Sequence, residues 1–166
     1  MKLTNLHDLF VDQLHDIYNA ESQITKALPK MMKSASSPEL RETFQHHLSQ
    51  TQSQIERLEQ IFTGIGAKPG SKKCKGMEGL LEEGKELMAE DITPQVMDAA
   101  LIATAQRVKH YEISAYGTAR TFAEQLGHKD AANLLQTTLD EESQTDHRLT
   151  EIAQSWVNEK AAHGVV

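Results

Sequence analysis

Hydrophobic and polar positions follow the period of an α-helix over four long stretches of the chain. In LIATAQRVKHYEISAYGTA the apolar positions recur in steps of three and four, at Leu101, Ala105, Val108, Ala115 and Ala119. This spacing is typical of a helix that turns one face towards a core. The same face includes Glu112, and a buried carboxylate without a partner is costly. The pattern therefore predicts that Glu112 has partners in the core.

The same period predicts an all-α fold with four long helices. They are expected at about 5–33, with Thr4 as N-cap and Pro29 as a kink or early end, and at about 38–63, 94–125 and 129–159. SASSPEL marks a short loop between the first and second helices, and Gly127 marks one between the third and fourth. Each of these two pairs of helices should therefore form an antiparallel hairpin. The crossover at about 64–92 is long and holds a predicted short helix, GMEGLLEEGKELMAE. Two hairpins joined in this way form a ferritin-like four-helix bundle.

The bundle is expected to be one domain spanning residues 1–166, with a C-terminal tail at about 160–166. Polar residues interrupt all four predicted core faces at mid-length, and counting from the loops places them at similar heights. Carboxylates and imidazole together suit iron or manganese, and zinc could also enter. We therefore predict a core site for one or two metal ions. Its expected ligands are Glu21, His47, Glu112, Glu142 and Asp146.

Several features leave alternatives open. The chain has no Glu-x-x-His motif, which is the usual mark of a di-iron bundle, and Glu141 is an alternative to Glu142. Polar neighbours on the same helices are expected to hydrogen-bond the ligands, although each tyrosine fits an unrelated buried partner equally well. These neighbours are Tyr18, Gln50, Thr51, Gln54 and Tyr116. No catalytic residue is identified.

The composition of the chain argues against several kinds of function. The 166 residues carry a net charge of −7, which argues against binding nucleic acid. There is one cysteine, Cys74, so no internal disulfide can form, which fits a reducing compartment. The N-terminus does not resemble a signal peptide and no stretch is apolar enough to span a membrane. We expect a cytoplasmic protein that contacts neither nucleic acid nor a membrane.

Four segments resemble the YciF/YciE-type ferritin-like family, and the YciF type most closely: HYEISAYGT, DAALIATAQ, MEGLLEEG and TLDEESQTDHRLTEIA. The resemblance extends over nearly the whole chain, to about Trp156. It implies a rubrerythrin- and ferritin-like fold, a homodimer, a role in bacterial stress and a dimetal site. Carried over by position, the site comprises the five ligands named above. Relatives often have Glu where this chain has Gln50, which weakens a second metal position.

Two functions remain open. The first is a stress-associated protein that binds Fe(II) in the bundle and oxidises it with oxygen or peroxide, as a ferroxidase or peroxidase-like enzyme. The alternative is a non-enzymatic structural or interaction bundle, a dimer that retains a degenerate metal site. No recognisable motif in the sequence identifies the native metal, the oxidant or a protein partner.

Overall fold

The computed structural model describes residues 3–164, and every regular element among them is helical, which confirms the all-α prediction. Its elements are α1 (Leu6–Ser34), α2 (Pro38–Gly64), α3 (Lys75–Ala89), α4 (Pro94–Gln125), α5 (Lys129–Ile152), a π-helical turn (Ala153–Val157) and α6 (Asn158–His163). None of the described helices is both long enough and apolar enough to cross a membrane.

The first helix begins and continues differently from the prediction. Asn5, not Thr4, is the N-cap, because its side-chain oxygen accepts a hydrogen bond from the Asp8 backbone N–H at 2.9 Å. Thr4 instead donates from its hydroxyl to the Asp8 carboxylate at 2.7 Å. Pro29 does not end the helix, which continues to Ser34.

The helices pair as two hairpins. Helix α1 packs on α2 and α4 packs on α5, while α1 also contacts α4 and α2 contacts α5. The crossover helix α3 lies against α1 and α4. It approaches α4 closely at Gly84, where a Cβ would lie 2.5 Å from Thr104 Cγ2. A side chain at this position would force Thr104 or α3 to shift, so glycine allows the close approach of the two helices.

The core consists of two apolar clusters, with polar residues between them along each long helix. One cluster lies towards the α1–α2 loop and includes Ile24, Leu28, Phe44, Leu101, Val108 and Leu149. The other lies towards the α4–α5 loop and includes Phe10, Leu14, Leu58, Ala119 and Leu135. The polar residues between the clusters are therefore held on both sides by close-packed side chains.

Helix α5 presents a different face from the one expected. Its core positions include Thr138 and Thr145, whereas Leu139 and Asp146 are only half-buried. The two faces are neighbours on the helix, and the inner one carries the short side chains of Thr138 and Thr145. The extra residue of the π-helical turn then places Val157 in the core and leaves Trp156 half-buried. Asp146, which was expected among the ligands in the core, is therefore only half-buried.

Asp98 fastens the α1–α2 loop to the start of α4. Its buried carboxylate accepts hydrogen bonds from the Ser36 backbone N–H at 2.7 Å, the Ser36 hydroxyl at 2.5 Å and the Ser37 backbone N–H at 3.0 Å. Hydrogen bonds to a charged group are stronger than neutral ones. This contact links the two helical hairpins.

We predict that Asp98→Ala lowers the free energy of unfolding by about 2–4 kcal/mol, because three donors lose their acceptor. Urea unfolding monitored by circular dichroism measures the change. The matched control is Asp91→Ala, an exposed position in the loop before α4. Equal stabilities of the two variants would contradict the role given to Asp98.

Candidate metal centre

The polar layer of the bundle is built by all four long helices. Each helix turns one or more ionisable or hydrogen-bonding side chains inward between the two apolar clusters, and each of these residues is at most 2% exposed. They are Glu21 from α1, His47, Thr51 and Gln54 from α2, Lys109, Glu112 and Tyr116 from α4, and Glu142 from α5.

Lys109 lies at the centre of this layer, and the sequence analysis did not identify it. Its ammonium contacts the carboxylate of Glu142 and lies 3.0 Å from Glu112 Oε2. The side chain is completely buried. A buried ammonium is stable only with close negative partners, so these two carboxylates and Lys109 hold one another in the core.

His47, Glu112 and Glu142 form a group with metal-binding geometry. Each offers one ligand atom, and the three atoms lie within 4.8 Å of one another. Within the part of the chain that the structure describes, both ring nitrogens of His47 and Oε1 of Glu112 have no hydrogen-bond partner. Buried polar atoms are nearly always paired, so these atoms indicate that a partner is missing from the protein itself.

Tyr116 orients the carboxylate of Glu21. Its hydroxyl donates to Glu21 Oε1 at 2.5 Å, while Glu21 Oε2 lacks a hydrogen bond from any described residue. Burial raises the pKa of the Tyr116 hydroxyl well above its usual range, and the nearby Glu21 adds to this. The tyrosine is therefore a neutral, permanent donor that leaves one oxygen of Glu21 free.

Gln54 orients Glu142 and connects the centre to the surface. Its amide donates to Glu142 Oε1 at 2.7 Å and to Glu141 Oε2 at 3.0 Å. Glu141 is in turn held by both terminal nitrogens of Arg57, each at 2.7 Å. The structure thus distinguishes the two neighbouring acids: Glu142 lies in the core, and Glu141 forms a partly exposed ion pair above it.

Burial and charge set the protonation states. Burial raises the pKa of Glu21 to about 7, and the charge of Glu142 contributes. Burial also raises the pKa of Glu112 well above its usual range. Burial alone would lower the pKa of Lys109, but its carboxylate neighbours outweigh that effect and raise it. Burial, with the charge of Lys109, holds the pKa of His47 well below its usual range, so the imidazole is neutral.

Three residues expected at the site lie elsewhere in the structure. Asp146 accepts from Gln106 at 3.3 Å and contacts the exposed ring of His110 at 3.2 Å. The Tyr18 hydroxyl donates to Glu59 at 2.8 Å, on the outer side of α1 and α2. Gln50 accepts from Thr145 at 3.0 Å. The other seven expected residues lie in the polar layer: Glu21, His47, Thr51, Gln54, Glu112, Tyr116 and Glu142.

The residues present fit one divalent metal ion. With a cation in place of the protons on Glu21 and Glu112, three carboxylates and one ammonium would together carry a charge of −2, which a single divalent cation would neutralise. A neutral imidazole is the form that binds metals, and an imidazole–carboxylate set suits Fe(II), Mn(II) or Zn(II). A second ion would have to compete with the Lys109 ammonium for the oxygens of Glu112 and Glu142.

Comparison with known proteins gives matches over nearly the whole chain. A family model described as a domain of unknown function, DUF892, matches residues 5–162. Protein YciF of Escherichia coli (strain K12) is 46% identical over 162 residues, which cover 97% of this chain and 98% of YciF. The crystal structure of the E. coli stress protein YciF matches with a TM-score of 0.92 and 45% identity, over 95% of this chain and 100% of that chain.

Two further structures extend the comparison. YcfI from Rhodopseudomonas palustris matches with a TM-score of 0.88 and 44% identity, over 90% of this chain and 95% of that one. A two-domain protein from Anabaena variabilis contains a ferritin-like domain and matches at 19% identity with a TM-score of 0.63, over 98% of this chain and 39% of its own. The latter supports the ferritin-like fold alone. The resemblance to YciF is confirmed, and the chain belongs to the DUF892 family.

Proposed function

We propose that this protein binds one divalent metal ion, Fe(II) or Mn(II), through His47, Glu112 and Glu142, with Glu21 as a further oxygen donor. The observation that supports the proposal is the set of buried polar atoms that find no partner among the described residues, above all both ring nitrogens of His47. We propose that it does so in stress physiology, as the E. coli relative's description as a stress protein suggests. We further propose that it is a cytoplasmic homodimer.

Bound iron would supply redox chemistry, and oxidation of Fe(II) by oxygen or peroxide is the activity we propose to test. The chain's own residues have separate tasks. Tyr116 and Gln54 orient Glu21 and Glu142 by the hydrogen bonds described above. Lys109 supplies a fixed positive charge that limits the repulsion between carboxylates and restricts the centre to one ion.

A second candidate function is a metal-free structural bundle. The observation that favours it is Lys109 itself, because its ammonium already pairs with Glu112 and Glu142 and could replace a cation permanently. In that case protonated Glu21 and Glu112 would complete the neutralisation. The two candidates differ in whether the wild-type chain binds metal.

We predict that the wild-type chain binds one Fe(II) or Mn(II) ion in anaerobic calorimetric titration. Glu112→Gln keeps the side-chain shape but removes the charge, so its affinity should fall at least about tenfold. Glu83→Gln, at an exposed position on α3, serves as the control and should bind like wild type. A wild-type chain that binds neither ion would contradict the proposal and favour the metal-free bundle.

Lys109→Met tests the competition between the ammonium and the metal. Removing the ammonium frees the oxygens of Glu112 and Glu142, so the variant should bind metal at least about tenfold more tightly than wild type. Lys85→Met, on the exposed face of α3, is the matched control. Unchanged or weaker affinity in a folded Lys109→Met protein would refute the competition. If Lys109→Met binds metal and the wild-type protein does not, the wild-type protein is the metal-free bundle.

We also predict a pH dependence that originates at Glu21. Its pKa is about 7 in the folded protein against an ordinary 4.5. Between these values the folded chain keeps a proton that the unfolded chain releases, so the metal-free protein loses stability as pH rises. The loss is at most about 3 kcal/mol. The free energy of unfolding, measured with urea, should differ less between about pH 5 and about pH 8 for Glu21→Gln than for wild type. Glu83→Gln is the control. Equal differences in all three proteins would rule out this origin.

A further inference from the structure

A chain of hydrogen-bonded side chains runs from the surface of the bundle to the metal centre. Arg57 on α2 donates to both oxygens of Glu141 on α5, each at 2.7 Å. Glu141 Oε2 also accepts from the Gln54 amide at 3.0 Å, and that amide donates to Glu142 Oε1 at 2.7 Å. The contacts alternate between α2 and α5 before Glu142 meets Lys109 on α4. A side chain near the surface is therefore connected to a ligand of the proposed centre.

The outer end of this chain is held more firmly than an ordinary surface ion pair. The side chains of Arg57 and Glu141 are only 20% and 23% exposed. Arg57 contacts Glu141 through both terminal nitrogens, and one of them also donates to the Thr138 hydroxyl at 3.2 Å. Paired contacts from a planar guanidinium fix a carboxylate more strictly than the single contact of a lysine does. Burial alone would raise the pKa of Glu141, but hydrogen bonds from Arg57 and Gln54 outweigh it and lower the pKa, so the carboxylate is charged.

The orientation of the Gln54 amide is imposed by its neighbours. Its nitrogen donates to two carboxylates, whereas its buried oxygen, Oε1, accepts no hydrogen bond from residues 3–164. A buried acceptor without a donor is unfavourable. The opposite orientation would be worse, because it would turn Oε1 towards the negative charges of Glu141 and Glu142. Glu141 is thus one of two anions that keep the amide turned towards Glu142.

We propose that Arg57 and Glu141 are positioning residues that hold the metal ligand Glu142 in place through Gln54. The amide occupies Oε1 of Glu142 and so restricts the orientation in which this carboxylate joins the three ligand atoms described above. The geometry of the buried centre then depends on two partly exposed residues. The effect on metal affinity rests on the metal-binding function proposed above. The hold on Gln54 does not, because these side chains are joined without a metal.

Hydrogen exchange of the Gln54 side-chain amide tests the hold in the full-length, metal-free protein. The ¹⁵N signal of this amide is identified by its loss in Gln54→Met. In wild type its protons should exchange slowly with water. In Arg57→Met they should exchange several-fold faster, because Glu141 is then free to turn towards solvent and no longer fixes the amide.

Two further variants complete this measurement. Arg57→Lys restores the positive charge but not the paired contact, so its exchange rate should lie between those of wild type and Arg57→Met. Arg107→Met, at an exposed position on α4, is the matched control and should exchange like wild type. Equal rates in wild type and Arg57→Met would overturn the proposal.

Metal affinity separates positioning from a simple effect of charge. Arg57 carries a positive charge, so its removal alone would favour a bound cation and tighten the binding of Mn(II). Positioning predicts the opposite: Arg57→Met should bind Mn(II) about three- to tenfold more weakly, a smaller loss than for a residue that contacts a ligand directly. In a Gln54→Met background the same change should cause no weakening, because the connection is already broken. Unchanged or tighter binding by folded Arg57→Met would overturn the positioning role.

The outcomes separate this inference from the proposed function. Suppose that the wild-type protein binds metal, but Arg57→Met matches it in both amide exchange and affinity. This result would overturn the positioning role alone. A wild-type protein that binds no metal, but whose Gln54 amide exchanges faster in Arg57→Met, would overturn the metal centre and support the hold of Arg57 and Glu141 on Gln54.

Discussion

The buried ion pairs of Lys109 with Glu112 and Glu142 are the interaction on which the interior depends. Removing a carboxylate or an ammonium from water costs several kcal/mol, and the mutual attraction compensates only when the geometry is close. Here the ammonium is fully buried between helices α4 and α5. The charges thus fix how α4 and α5 align with each other, because a slip along either helix would strand an ion in the core.

The packing on both sides of the polar layer makes this alignment strict. Apolar clusters fill the bundle towards each loop, so the polar atoms of the layer lie between two close-packed apolar regions. Tyr116 and Gln54 satisfy part of the demand by donating to Glu21 and Glu142. Within residues 3–164, His47 and Glu112 keep atoms without hydrogen-bond partners, which is an unusual state for buried groups. In our account a single divalent cation completes the layer.

The fold was largely predictable because each long helix has a strong apolar period. The face of α2, with His47, Thr51 and Gln54, was predicted correctly because polar and apolar residues repeat there without ambiguity. The face of α5 was not, because Thr145 and Asp146 are adjacent and only packing decides which is buried. The π-helical turn at Ala153–Val157 likewise has no local sequence signal.

Lys109 shows why the candidate site was only partly predictable. It lies four residues after Ala105 and three before Glu112, on the apolar stripe of α4, and this was the available signal. A lysine at such a position is usually treated as a surface residue, because long side chains often reach solvent from a core edge. Whether it does so depends on the acids that neighbouring helices bring near it, and Glu142 is distant in sequence.

The most direct test of the account is ¹⁵N NMR of the Lys109 ammonium in the metal-free protein. We predict a charged, slowly exchanging ammonium that persists above the ordinary lysine pKa of 10.5. A neutral amine, or a rapidly exchanging ammonium like that of a surface lysine, would contradict it.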